Sequence, residues 1–297
     1  MILGGIYFFI IYFFILGAML VSYYSKGIDQ KEIFDKLKVA QGKSSDEEFN
    51  KIEREEYFKF QSMYHTLYFD FSYGVADFDS LDEYLNSINQ NLKEDIEKFY
   101  PDSKILKNYN NRIYNNLRNL YIEKDGKFII IIDEWDYIIS SEKFSADDQK
   151  RYITFLQYLI KDQPYIAFTY MTGIFPIAKQ LPQSSLNCLK EYSMLNDQVY
   201  YQYFGFIEQE VRDPCENNKT ISYEKLEDWY NGYKGPNDEK IFNTWSVCQT
   251  LSENKISNYW TNTGRFDELI TIINFNLPGI KDEILELING EKHHQVV

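Results

Sequence analysis

Between Phe128 and Tyr137 the chain reads FIIIIDEWDY, an unbroken apolar run that ends in two adjacent acids. A strand with no polar alternation must be covered on both faces, as a central parallel strand is. The pattern therefore predicts a buried strand that delivers Asp133 and Glu134 to its carboxyl end, where open α/β sheets bind their ligands. Tyr64 to Ser72, YHTLYFDFS, is aromatic and β-branched enough for another strand. Asp79-Ser80 then offers a cap to a helix carrying Leu81, Leu85, Ile88, Leu92 and Ile96, and Pro101 closes it. A second helical stretch is expected from Ile105 to Tyr121, ahead of the turn Lys124-Asp125-Gly126. After the acids come a helix from Ala146 to Lys161, a strand from Tyr165 to Met171 and the turn Thr172-Gly173. Strand, helix, strand at this spacing is a βαβ unit, which implies parallel pairing.

The flanks read differently. The segment SKGIDQKEIFDKLKV predicts a helix end and a short amphipathic helix with Ile33, Phe34 and Leu37 on one face, and Ala40 to Glu56 reads as a polar loop. Beyond Pro176 helical periodicity continues with few strand signals, broken at Pro182, as in a smaller helical subdomain. The fold class expected is α/β: a parallel sheet core with helices on both faces over residues 18–180, then a helical lid over 181–297. From Ile2 to Val21 the chain carries only Gly, Ala and apolar or aromatic residues, about the 20 needed to cross a bilayer. It lacks a basic n-region and a small-residue cleavage site, so a membrane reading is an uncleaved anchor. Lys26 and Lys31 follow the run and none precede it, which favours a cytoplasmic body under the positive-inside tendency. A buried strand and helix, or an incorrectly predicted coding start, are the alternatives.

Composition narrows the chemistry. Lys and Arg total 31 against 45 Asp and Glu, a formal charge of -14, and no stripe concentrates the basic residues. That argues against phosphate-backbone binding as the main activity, and no nucleic-acid partner is indicated by the charge. Cys188, Cys215 and Cys248 are far apart and lack CxxC spacing, so neither a disulfide framework nor a zinc site is indicated. His65 stands alone and His293 and His294 lie beside the C-terminus, which gives no metal-ligand or Ser/His/Asp arrangement. What remains is the pair of acids. Paired acids at the end of a covered strand hold Mg²⁺ and orient a water beside a nucleoside triphosphate, the shape of a Walker B element. The alternative is a solvated turn or the cap of the next helix.

Taken in order, IIDEWD, YMTGIFPIAK, SSLNCLKEYSML, YFGFIEQEV, LEDWYNGYKG, FNTWSV and YWTNTG resemble the predicted AAA-ATPase-like family, a branch of the P-loop NTPases. The resemblance runs from about Ala18 onward and includes AMLVSYYSKG and LYFDF. It implies a P-loop NTPase-like fold, ATP and Mg²⁺ as cofactors, and ATP hydrolysis as the activity. By the same resemblance Asp133 would hold Mg²⁺, Glu134 would polarise the attacking water and Asp136 would be a supporting acid. Thr172 would be a sensor-like residue near the γ-phosphate, or else simply the turn that ends a strand. Lys179 and Arg212 would be phosphate-directed cations or exposed helix charges. Many relatives append a nuclease-like domain; here the chain ends at LINGEKHHQVV, and nuclease chemistry is not carried over.

One departure is large. Relatives carry an RRFGKT-like Walker A loop whose amides cradle phosphate and whose Lys pairs with the β- and γ-oxygens. Counted back from AMLVSYYSKG, that Lys and Thr fall near Phe13 and Phe14, which bring neither charge nor hydroxyl. Gly42-Lys43-Ser44 does not replace it, since Leu37 stands where the first glycine belongs and a helix precedes it. The expectation is an ATPase fold with impaired activity, or a noncatalytic interaction protein, membrane-tethered or soluble. Residues 1–17 would then be a foreign apolar segment, an anchor or a gene-model artefact.

Overall fold

The computed structural model describes residues 16–37, 40, 47–173, 186–192, 205–216, 218–235 and 238–259. These fall into two compact units, 16–192 and 205–259.

In the first unit three strands, β1 (His65–Asp70), β2 (Phe128–Asp133) and β3 (Ile166–Met171), form a parallel sheet in the order β1-β2-β3. The apolar run of β2 takes the middle position, and every one of its residues is buried. Phe128, Ile130 and Ile132 join one core with Leu81, Leu92 and Ile96, with Leu117 and Leu120, and with Tyr152, Leu156 and Leu159. Ile129 and Ile131, on the opposite face, are also buried. Five consecutive large apolar residues thus meet the two-sided cover that their lack of alternation demands.

The helix Leu81–Phe99 begins where the polar pair suggests: the Ser80 hydroxyl accepts the amide of Glu83 at 3.3 Å. The helix Ala146–Ile160 opens with a full capping box between Ser145 and Asp148. Arg151 on that helix pairs with Asp82 in the first turn of Leu81–Phe99 and so joins the two starts.

Three expectations need correction. The stretch Ile105 to Tyr121 is not one helix but a 3₁₀ turn, Lys104–Asn108, followed by the helix Ile113–Lys124. Asparagine side chains enforce the break. Buried Asn116 donates to Asn89 Oδ1 at 3.0 Å and to the Asn110 carbonyl at 2.8 Å, and accepts the Asn110 amide at 2.9 Å. Side chains of this kind compete with helical backbone bonds. Second, the polar stretch before Glu56 is partly helical, within Glu47–Phe60. That helix contains no Gly or Pro and is rich in Glu with two Lys, which are good helix formers, and the Tyr57 ring anchors it against Tyr23 at 5.0 Å. Third, the amphipathic helix around Ile33 is a single turn, Lys31–Phe34: Phe34 is buried but Ile33 is 61% exposed.

The second unit carries the helices Glu208–Glu216, Tyr223–Tyr230 and Thr244–Glu253. They pack with a small antiparallel sheet of β4 (Phe206–Ile207), β5 (Tyr233–Lys234) and β6 (Lys240–Phe242) in the order β4-β6-β5. Strands of two or three residues leave too short a pattern to read from hydropathy. Tyr230 is the hub: its hydroxyl donates to the Ser257 carbonyl at 2.8 Å and accepts from Thr250 at 2.7 Å.

Among the described residues no helix is long and apolar enough to cross a membrane. The expected anchor, residues 2–21, lies outside the described residues up to residue 15; residues 16–24 form a helix in which Gly17 is buried.

Candidate active site at the carboxyl end of the sheet

The parallel register puts Asp70 of β1 directly beside Asp133 of β2, and Ile132 beside Met171 of β3. Asp70, Asp133 and Thr172 consequently end three adjacent strands on one side. The backbone closes over this edge: Phe71 donates its amide to the Asp133 carbonyl at 3.2 Å, Thr172 to Ile132 at 2.9 Å, and Trp135 to Thr172 at 3.1 Å.

Asp133 is 6% exposed and sits among donors. Its Oδ1 accepts from the Thr172 hydroxyl and from the Glu134 amide at 3.1 Å. Its Oδ2 accepts from the Tyr68 hydroxyl at 2.9 Å. Burial, then the Asp133 charge, holds the Tyr68 pKa far above its ordinary value, so the phenol stays a donor. Tyr170 is pushed up by the same two causes in the same order. Asp70 acts on its own loop instead, where its Oδ1 accepts from the Ser72 hydroxyl at 2.6 Å and amide at 2.9 Å and so fixes the turn after β1.

Glu134 is half-buried and adopts a left-handed backbone with φ 50°. For a residue with a Cβ this conformation costs about 1 kcal/mol, and such strain gathers at functional sites. Asp136, 2% exposed, begins the single helical turn Tyr137–Ser140. Gly173 allows the close approach of the two strand ends, because a Cβ there would collide with the Trp135 ring and a carboxylate oxygen of Asp136.

Thus Asp133 and Thr172 are brought into direct contact, with Glu134 and Asp136 on the same short turn. Sequence reasoning passed over Tyr68, Asp70 and Tyr152. The first two lie in the LYFDF strand, and only the register reveals which face and neighbour each has. Lys179 lies outside the described residues. Arg212, in the second unit, is paired with Glu208 at 2.6 Å and lies over the Tyr223 ring at 3.6 Å.

Mg²⁺ is a hard cation that is usually held by one or two carboxylates together with water and substrate phosphates. Asp133 with the Thr172 hydroxyl is a donor set of that kind. Among the described residues there is no group of three or more His, Cys, Asp or Glu that could hold a metal ion. An ion held here would share its coordination with water and substrate oxygens.

A family model described as Predicted AAA-ATPase matches residues 15–181, more than half of the 297-residue chain. The matched stretch contains β1, β2, β3, Asp133, Glu134, Asp136 and Thr172. No curated protein matches the chain.

Proposed function

This chain belongs to the predicted AAA-ATPase family, and from that premise we propose a Mg²⁺-dependent ATP-binding core with severely weakened hydrolysis. The observation that supports it most is the hydrogen bond from Thr172 to Asp133 across neighbouring parallel strands. It joins a hydroxyl and a carboxylate at the carboxyl end of the sheet, beside the wholly buried central strand, with Glu134 next in the chain.

In this reading Asp133 would hold Mg²⁺, directly or through water, and Thr172 fixes the carboxylate's orientation. Glu134 would accept a proton from the attacking water, and Asp136 would support the turn that aims it. Magnesium, when bound, would offset the negative charge that develops on the phosphate. The weakness comes from the other side of the triphosphate. Phe13 and Phe14 stand where a phosphate-binding Lys and a Thr belong, and positioning with charge compensation supplies nearly all of phosphoryl-transfer catalysis. The three cysteines are all free thiols, in keeping with a reducing, cytoplasmic setting.

Calorimetric titration with Mg-ATP tests binding, and turnover in the wild type against Glu134→Gln tests the chemistry. Saturable binding and a slow turnover that falls further in Glu134→Gln are the expected results. Equal turnover in the two proteins removes Glu134 from the mechanism. A second reading, a noncatalytic interaction protein on the same fold, is favoured by the two phenylalanines alone. It requires that Mg-ATP produce no binding heat at micromolar concentrations.

A further inference from the structure

Three donors surround the Asp133 carboxylate, and they come from two places. Thr172 and the Glu134 amide, both on Oδ1, belong to the turns that build the site. Tyr68 reaches Oδ2 from within β1, two residues before that strand ends. Its ring is backed by buried Gly17, where any Cβ would run into the Tyr68 ring edge. A carboxylate offers about four lone-pair sites. Oδ1 already accepts two hydrogen bonds, so Oδ2 is the oxygen that an incoming cation would find most open, and the phenol holds it.

We propose that Tyr68 is a latch on Asp133: its hydroxyl competes with a divalent cation for Oδ2 and so sets the metal affinity of the site. The proposal rests on the reading of Asp133 as the cation carboxylate. A hydroxyl hydrogen carries partial positive charge and sits where the ion must approach. The phenol therefore has to swing away, or give up its bond, before Oδ2 can coordinate directly. While no cation is present it supplies the partner that a buried carboxylate needs. Tyr68 is on this account a positioning and affinity-setting residue, and it takes no part in bond breaking.

The test is a Mn²⁺ titration of the full chain, with free Mn²⁺ read by electron paramagnetic resonance. It uses the wild type, Tyr68→Phe, Asp133→Asn and the double variant, each checked for native near-ultraviolet circular dichroism. Tyr68→Phe should bind Mn²⁺ about tenfold tighter, the size of one hydrogen bond to a charged group, and the double variant should lose that gain. Gly17→Ala displaces the same ring from its other side. It should shift affinity in the same direction, and it serves if Tyr68→Phe does not fold. Affinity in Tyr68→Phe equal to or weaker than wild type, including no detectable binding in either, overturns the latch. If Asp133→Asn binds Mn²⁺ as tightly as wild type, the cation assignment of Asp133 falls instead. Loss in Asp133→Asn with no gain in Tyr68→Phe removes the latch alone.

Discussion

Tyr152, wholly buried in the helix Ala146–Ile160, donates a hydrogen bond to the backbone carbonyl of Trp135 at 2.7 Å. That single bond ties the helix after β2 back to the turn that carries Glu134 and Asp136. Tyr152→Phe keeps the ring in the core, where it meets Phe71 edge-on at 5.1 Å, but leaves a buried carbonyl without its donor. A loss of about 1 to 3 kcal/mol is expected, measured by urea unfolding. Tyr152→Leu should cost more, since it also removes ring packing.

Glu134 holds a left-handed backbone with φ 50°, so its replacement should reveal the strain. Glycine adopts that conformation without the Cβ penalty, whereas alanine does not. Glu134→Gly is therefore expected to be more stable than Glu134→Ala by about 1 kcal/mol. Thermal unfolding of the two variants side by side checks it, and the reverse order would show that the turn carries no such strain.

The buried asparagine network predicts a larger effect. Asn116→Ala removes bonds to Asn89 and to both the amide and the carbonyl of Asn110. Asn89 keeps Tyr109, which donates to its carbonyl at 2.7 Å, but its Oδ1 loses the Asn116 donor. Unsatisfied buried polar groups cost about 1 to 3 kcal/mol each, so a loss of roughly 3 kcal/mol is expected in urea unfolding. Asn115→Ala, at the half-buried neighbouring position of the same helix, removes only one 3.3 Å bond to Asn110 Oδ1 and should cost less.

His65, at the start of β1, accounts for a pH dependence. Burial, and after it the charge of Lys26, pushes its pKa below the ordinary value of 6.5. The folded protein then binds fewer protons than the unfolded chain in acid. The contribution is whole above pH 6.5 and is lost as pH falls from there through the lowered folded value. The unfolding midpoint of the wild type should drop more between about pH 7.5 and about pH 5 than that of His65→Gln. Parallel curves would assign the acid sensitivity to other groups.

The elements around the site were legible because their signals are strong and local. Five apolar residues in a row predicted β2, and Ser80 predicted the start of Leu81–Phe99. The segment from Ile105 to Tyr121 misled because its apolar spacing is helical while its asparagines act through distant partners. Glu47–Phe60 was missed for the opposite reason: a helix rich in charge shows little apolar stripe, and its anchor, Tyr57 on Tyr23, is tertiary.

By itself the sequence predicted an apolar strand covered on both faces that carries Asp133 and Glu134 to its end, since five apolar residues without polar alternation suit a central parallel strand. It also determined that positions 13 and 14 bring no cation or hydroxyl to phosphate. Only the tertiary structure decided which groups meet the Asp133 carboxylate. Parallel register, a property of three strands separated by long helical connections, sets Thr172 on one oxygen and Tyr68 on the other. Hydrogen bonds between residues 39 and 65 positions apart leave no trace in local hydropathy, because each partner's own pattern is already satisfied by its strand.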